Sequence, residues 1–322
     1  MQKKFLINVG SLGGSRLALA LSQVLVLPFV ARFLTPTDFG DIALAMGVVV
    51  FAQIFSDAGL GRSLIRQPRV DPAEWNSVFW VLVGVGVGLT AFLCALAPLW
   101  AMLFDRPRLG GLVAVLSVTV LCSALTAVPV ARMEKDDRFP TVAGIRITAG
   151  VAGLIAVLGL AAAGAGVWAL VAQQVVLAMV QLILAAWFGR FRASWPRGFT
   201  PLAHHIRFAS DNVATSMLFT AQIQSPILLL GWVLGAAPLG LFSMAQRFLT
   251  LPRTALAGPV AQVVYVRMAA LQSDPAAVAR IYVGSCRVLA AAVFVPMAAL
   301  AGSGHVIFPF VLSQAAGILG ME

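Results

Sequence analysis

Apolar residues in this chain gather into runs of about 20 residues or more, the length that carries a helix across a hydrocarbon layer of about 30 Å. Short polar breaks separate the runs into nine predicted spans: Ile7–Phe33, Phe39–Ile65, Val78–Phe104, Leu109–Ala131, Thr141–Ala163, Val167–Phe188, Phe208–Leu234, Leu239–Val266 and Ile281–Leu300. A tenth apolar piece, His305–Leu319, is interrupted by Pro309. Apolar and polar residues do not alternate along the runs, so a membrane β-barrel is excluded. The pattern predicts an all-α polytopic membrane protein.

One segment of the pattern returns. The stretch from Leu34 to Ala45, with Pro36, Phe39 and Gly40, is echoed 200 positions later by Leu234 to Ala245, with Pro238, Leu239 and Gly240. Each copy follows one long apolar run and opens the next. A membrane protein that repeats its opening hairpin at mid-chain reads as a transporter of two similar halves. The predicted organisation is a six-helix bundle over residues 1–189, a polar linker over 190–206, and a second, incomplete bundle of about three helices over 207–322. Two equal halves of 200 residues would exceed the 322 residues of the sequence. The expectation is therefore a chain truncated at its C-terminus.

Composition agrees with the spans: 60% of the residues are hydrophobic and 11% are charged, where a soluble domain carries about a quarter charged. Mean hydropathy is +0.95. The net charge of +10 is scattered over loops instead of forming a patch, so nucleic acid is not an expected partner. Fourteen basic residues fall on alternate loops, among them Lys3, Lys4, Arg66, Lys135, Arg138, Arg192 and Arg197; the opposite loops hold Arg32, Arg106 and Arg108. Positive charge marks the cytoplasmic side, which predicts a cytoplasmic N-terminus. Cys94, Cys122 and Cys286 all lie inside apolar runs and read as small core residues.

Polar residues inside spans are costly, and they point to a lumen or to a partner. Asn8, Ser11, Ser15 and Ser22 share one face of the first span. The same offset of 200 carries positions 11, 15 and 22 onto Asp211, Thr215 and Gln222. Arg16 with Gln23 and, in the second half, Arg247 with Arg253 are candidates for a shared hydrated cavity; snorkelling to the surface is the alternative for the arginines. Asp57, Asp211 and Asn212 complete the candidate set. Asp57 equally suits a structural pair with Arg62, and Asp211 suits the start of a helix. Arg146 and Arg287 lie near helix ends and are expected to snorkel. Gly84, Gly86 and Gly88 have no phosphate-binding lysine after them and predict close helix packing. His204 and His205 are adjacent, which suits no helical metal face. No catalytic signature and no nucleotide-binding loop is present, so neither an enzyme nor an ATP-driven pump is expected.

The stretches Leu27–Pro36 with Phe39 and Gly40, Phe55–Gly61 with Ile65 and Arg66, and Leu239–Arg247 with Leu251 and Pro252 resemble the polysaccharide transporter family. These are the Wzx-type oligosaccharide-lipid flippases of the multidrug/oligosaccharidyl-lipid/polysaccharide exporter superfamily. The resemblance implies two six-helix bundles around a cationic cavity, with alternating access moving an undecaprenyl-pyrophosphate-linked oligosaccharide across the bacterial inner membrane. Arg16, Arg247 and Arg253 would then meet the pyrophosphate. It implies no cofactor, with H+ and Na+ as the alternatives for a coupling ion. Membrane lipids, a polysaccharide polymerase and a chain-length regulator are the implied partners. The rival readings are a multidrug exporter of the same superfamily, disfavoured by the basic cavity, a membrane-embedded enzyme, disfavoured by the short external loops, and a non-transporting remnant.

Overall fold

The computed structural model describes residues 29–30, 32–57, 60–61, 64, 71–189, 194 and 203–252, with 276, 279–287, 290–291, 294, 298 and 302 beyond them. Among the described residues seven helices can be delimited: α1 (Pro36–Asp57), α2 (Pro72–Leu103), α3 (Pro107–Lys135), α4 (Phe139–Ala162), α5 (Val167–Gly189), α6 (Ala203–Leu234) and α7 (Ala236–Pro252). No strand occurs among the described residues. Among the described residues six helices, α1 to α6, are long and apolar enough to cross a membrane. They correspond to the second through seventh predicted spans, and the chain is a multi-pass, all-α membrane protein. Nearly all of the first span lies outside the described residues.

Three boundaries differ from the apolar pattern because helices carry polar first and last turns. α2 starts at Pro72, not Val78. Asp71 caps it, its side chain accepting from the Ala73 N–H at 3.3 Å, and Pro72 has no N–H to leave unsatisfied. α3 continues past Ala131 to Lys135, placing Arg132 and Lys135 in its last turn, where cations favour the helix dipole. α6 begins at Ala203, before Phe208.

The described residues divide into two compact units, the first holding residues 33–243. The contacts and the cavity described below lie in it. At one end of its bundle, cations satisfy carbonyls that helix geometry leaves open. Lys135 Nζ donates to the Leu64 carbonyl (3.1 Å) and Arg138 to the Phe188 carbonyl (3.0 Å). Ser194, beyond α5, is held at this same end: Asn76 Nδ2 donates to its hydroxyl (2.7 Å) and Trp80 Nε1 to its carbonyl (3.0 Å). At the opposite end, Arg106 in the α2–α3 connection pairs with Asp41 of α1 at 2.8 Å. Asp41 is buried, with 5% of its side chain exposed, while Arg106 keeps 33%.

The two echoed segments meet here. A Cβ on Gly40 would land on the Ala236 carbonyl, and a Cβ on Gly240 would land on the Pro36 carbonyl. The contact is reciprocal, because residues 36 and 236, and residues 40 and 240, are related by the same 200-residue offset. Phe39 and Leu239, related in the same way, are both 0% exposed. Farther along α1, Gly47 faces Leu228 and Gly231 faces Leu44, so α1 and α6 run close and antiparallel. Of the three α2 glycines, only Gly86 packs as expected, with a Cβ there 2.7 Å from the Ala124 Cβ; Gly84 and Gly88 have nothing within 4 Å.

The bundle's outer surface is apolar. Met102, Trp187 and Leu218 are among its exposed residues, a pattern that suits lipid as the surrounding solvent. Trp168, Trp187 and Trp232 are exposed close to helix ends, where indole rings favour the membrane interface.

Candidate functional site

Within this bundle α1, α3, α4 and α5 line an open-sided cavity of about 420 Å³, within the size range of small-molecule sites. Its polar lining follows helical spacing. Gln53 stands two turns beyond Met46 on α1, Thr126 two turns beyond Thr119 on α3, and Gln181 two turns beyond Gln174 on α5. Residues two turns apart share a face, so each helix contributes one stripe and the stripes converge.

The hydroxyls behave as expected of Ser and Thr in apolar helices. Thr126 Oγ1 donates to the Cys122 carbonyl and Thr119 Oγ1 to the Leu116 carbonyl, both at 2.6 Å. Each uses its single proton this way and keeps acceptor lone pairs. One of those on Thr119 accepts from Gln53 Nε2 at 3.2 Å, linking α1 to α3 across the cavity. The Gln53 carbonyl accepts from the Ser56 hydroxyl at 2.8 Å.

Among the described lining residues are two ionisable groups, Glu134 near the end of α3 and Arg146 two turns into α4. Their charged atoms are 3.7 Å apart and their side chains 25% and 27% exposed. Arg146, expected from sequence to snorkel, is among the residues lining the cavity, where Glu134 balances its charge. Glu134 escaped the sequence reading because it stands at the end of an apolar run and resembles an ordinary loop residue.

None of the site residues singled out from sequence is among the described residues lining this cavity. Arg16, Gln23 and Arg253 lie outside the described residues. Asp57 ends α1, Asp211 and Asn212 lie in α6, and Arg247 lies in α7; only their backbones are described. Gln222 is exposed on α6, two residues from Gln224, which is buried. The Gln224 Oε1 has no hydrogen-bond partner among the described residues. Of the predicted set, only the Gln222 side chain is described. The signal that could have found the cavity was in the sequence: pairs of Gln or Thr two turns apart inside otherwise apolar helices. No group of three or more His, Cys, Asp or Glu residues able to hold a metal occurs among the described residues, and Cys94, Cys122 and Cys286 are free.

Comparison with known proteins gives a consistent class. Residues 29–315 match a family described as "Polysaccharide biosynthesis protein". The chain is 26% identical over 253 residues to the succinoglycan biosynthesis transport protein ExoT of Rhizobium meliloti, covering 78% of this chain and 51% of that protein. It is 24% identical over 264 residues to the lipopolysaccharide biosynthesis protein WzxC of Escherichia coli, covering 80% and 52%. It is 23% identical over 246 residues to the teichuronic acid biosynthesis protein TuaB of Bacillus subtilis, covering 74% and 50%. The chain thus spans about half the length of the curated relatives it matches. No solved structure matches it.

Proposed function

This chain belongs to the polysaccharide biosynthesis protein family, and on that premise we propose that it is a transporter that flips lipid-linked oligosaccharide across the bacterial inner membrane. The observation that carries the reading is a hydrogen-bonding cavity inside a bundle whose outer surface is apolar. Such an arrangement lets a polar headgroup pass between helices while its lipid tail stays in the bilayer. No bond is made or broken in this work. A ligand drives it only by binding one facing state better than the other.

In this reading residues 1–189 form one bundle, residues 190–206 a cytoplasmic linker, and residues 207–322 belong to a second bundle. The reciprocal approach of Gly40 and Gly240 supports a two-fold relation between the halves. The N-terminus is cytoplasmic, as the loop charges predict. Arg16 and Arg247 take the pyrophosphate by charge-assisted hydrogen bonds, with Arg253, Gln23, Asp57, Asp211, Asn212 and Gln222 as further cavity candidates.

The test is export. In cells deleted for their own flippase, the full-length protein should restore surface polysaccharide. Arg247→Ala should abolish that restoration at unchanged membrane abundance. Arg247→Lys should recover part of it, because the charge is kept while the planar fork is lost. Normal export by Arg247→Ala would sink the assignment of that arginine, and failure of the parent protein to restore polysaccharide would sink the transport reading itself.

A further inference from the structure

We propose that the cavity between α1, α3, α4 and α5 is a subsite for an uncharged sugar ring of the cargo, an inference that rests on the transport reading above. Three observations select this ligand class. The first is the chemistry of the lining. Gln53, Gln174 and Gln181 present carboxamides, each a flat group with two N–H donors and a carbonyl acceptor. Adjacent sugar hydroxyls, each both donor and acceptor, are matched by such groups without any charge.

The second observation is charge. Among the described lining residues the one cation, Arg146, lies 3.7 Å from the one anion, Glu134. A pyrophosphate entering here would gain from the arginine and lose to the carboxylate. A neutral polyol meets no such conflict and can bond to both members of the pair. The sugar portion of the cargo belongs here, and its anionic end elsewhere.

The third is the apolar remainder of the wall. Met46, Leu177 and Val130 line the same cavity and offer surface to the C–H faces of a ring. Hydroxyls whose own protons are already committed to helix carbonyls, as at Thr119 and Thr126, can still accept from the ligand. No aromatic ring occurs among the described lining residues, so binding is expected to be weak, as suits a cargo that must leave again.

The test uses the full chain in lipid nanodiscs and three probes: methyl glycosides of neutral hexoses and N-acetylhexosamines, glucuronate, and inorganic pyrophosphate. Saturation-transfer NMR should show transfer to the neutral glycosides. The paired change Gln174→Ala with Gln181→Ala should weaken that binding by about tenfold or more, from the loss of two amide partners. Glucuronate and pyrophosphate should neither bind nor compete. Gln181→Glu covers the case in which the alanine pair misfolds: it keeps the size of the side chain, removes two donors and should also weaken the neutral signal. Glu134→Gln removes the balancing anion and should admit glucuronate. The subsite is overturned if no neutral glycoside receives saturation, if Gln181→Glu binds them as the parent does, or if pyrophosphate displaces them. Export is scored separately in cells. Sugar binding with the expected variant pattern, but without restored polysaccharide, would overturn the transport reading alone.

Discussion

Replacing Gly40 or Gly240 by alanine tests the closest helix contact in the fold. In an isolated helix the change is favourable by about 1 kcal/mol, since glycine loses more backbone freedom. Here the added methyl has no room, because each Cβ would land on a main-chain carbonyl of the opposing segment. A carbonyl fixed in a helix turn cannot rotate aside as a flexible side chain can, so the helices must separate. Separation also reopens the burial of Phe39 and Leu239, both at 0% exposure. Overpacking of this kind costs about 1–3 kcal/mol, which exceeds the propensity gain. Each single variant should therefore lower the thermal unfolding midpoint of the protein in detergent. Because both methyls force the same separation, the second should cost less than the first, with a coupling of about 0.5 kcal/mol or more. Gly84→Ala and Gly88→Ala supply the contrast. Nothing lies within 4 Å of a Cβ at either position, so both should be neutral or stabilising by up to about 1 kcal/mol. If Gly40→Ala and Gly240→Ala stabilise as Gly84→Ala does, or if their costs simply add, the close reciprocal contact is refuted.

Further outcomes are expected elsewhere. Arg106→Ala should destabilise more than Asp41→Asn, because it strands a carboxylate with only 5% exposure whereas Arg106, at 33%, can turn to solvent; about 2 kcal/mol is expected for the arginine change, read from unfolding midpoints. Equal costs would place the pair in water. For orientation, single cysteines at Asp105 and Ala237 in a cysteine-free background should react with an impermeant thiol reagent in intact cells, and one at Lys135 should not. The inverse labelling pattern would reverse the topology.

Much of the helical framework was legible because membrane spans announce themselves by length and apolarity alone. Six of the runs, from Phe39–Ile65 to Phe208–Leu234, reappear as α1 to α6. Helix ends were less legible, since Asp71 with Pro72 and Arg132 with Lys135 are polar and look like loop until capping and dipole effects are counted. The echo at Gly40 and Gly240 was visible, but not that its two copies touch, because contact between residues so far apart depends on how helices pack. The cavity was hidden for a different reason. Gln53, Thr119, Gln174 and Arg146 come from four helices, and each alone reads as a residue bonding its own backbone or reaching the surface. Only convergence gives them a common role, and convergence is a property of the bundle, not of any one run.

The cations at the basic end of the bundle have a consequence for biogenesis. Lys135 and Arg138 hold the carbonyls of Leu64 and Phe188, and on the proposed topology they are also among the cytoplasmic charges that resist passage through the membrane during insertion. The signal read while the chain is being threaded into the bilayer is thus reused afterwards as mortar between finished helices. A chain threaded the wrong way round would have to drag these charges across the bilayer first. Neutralising them to ease that passage would leave helix ends unsealed, so correct insertion and correct folding are selected by the same side chains.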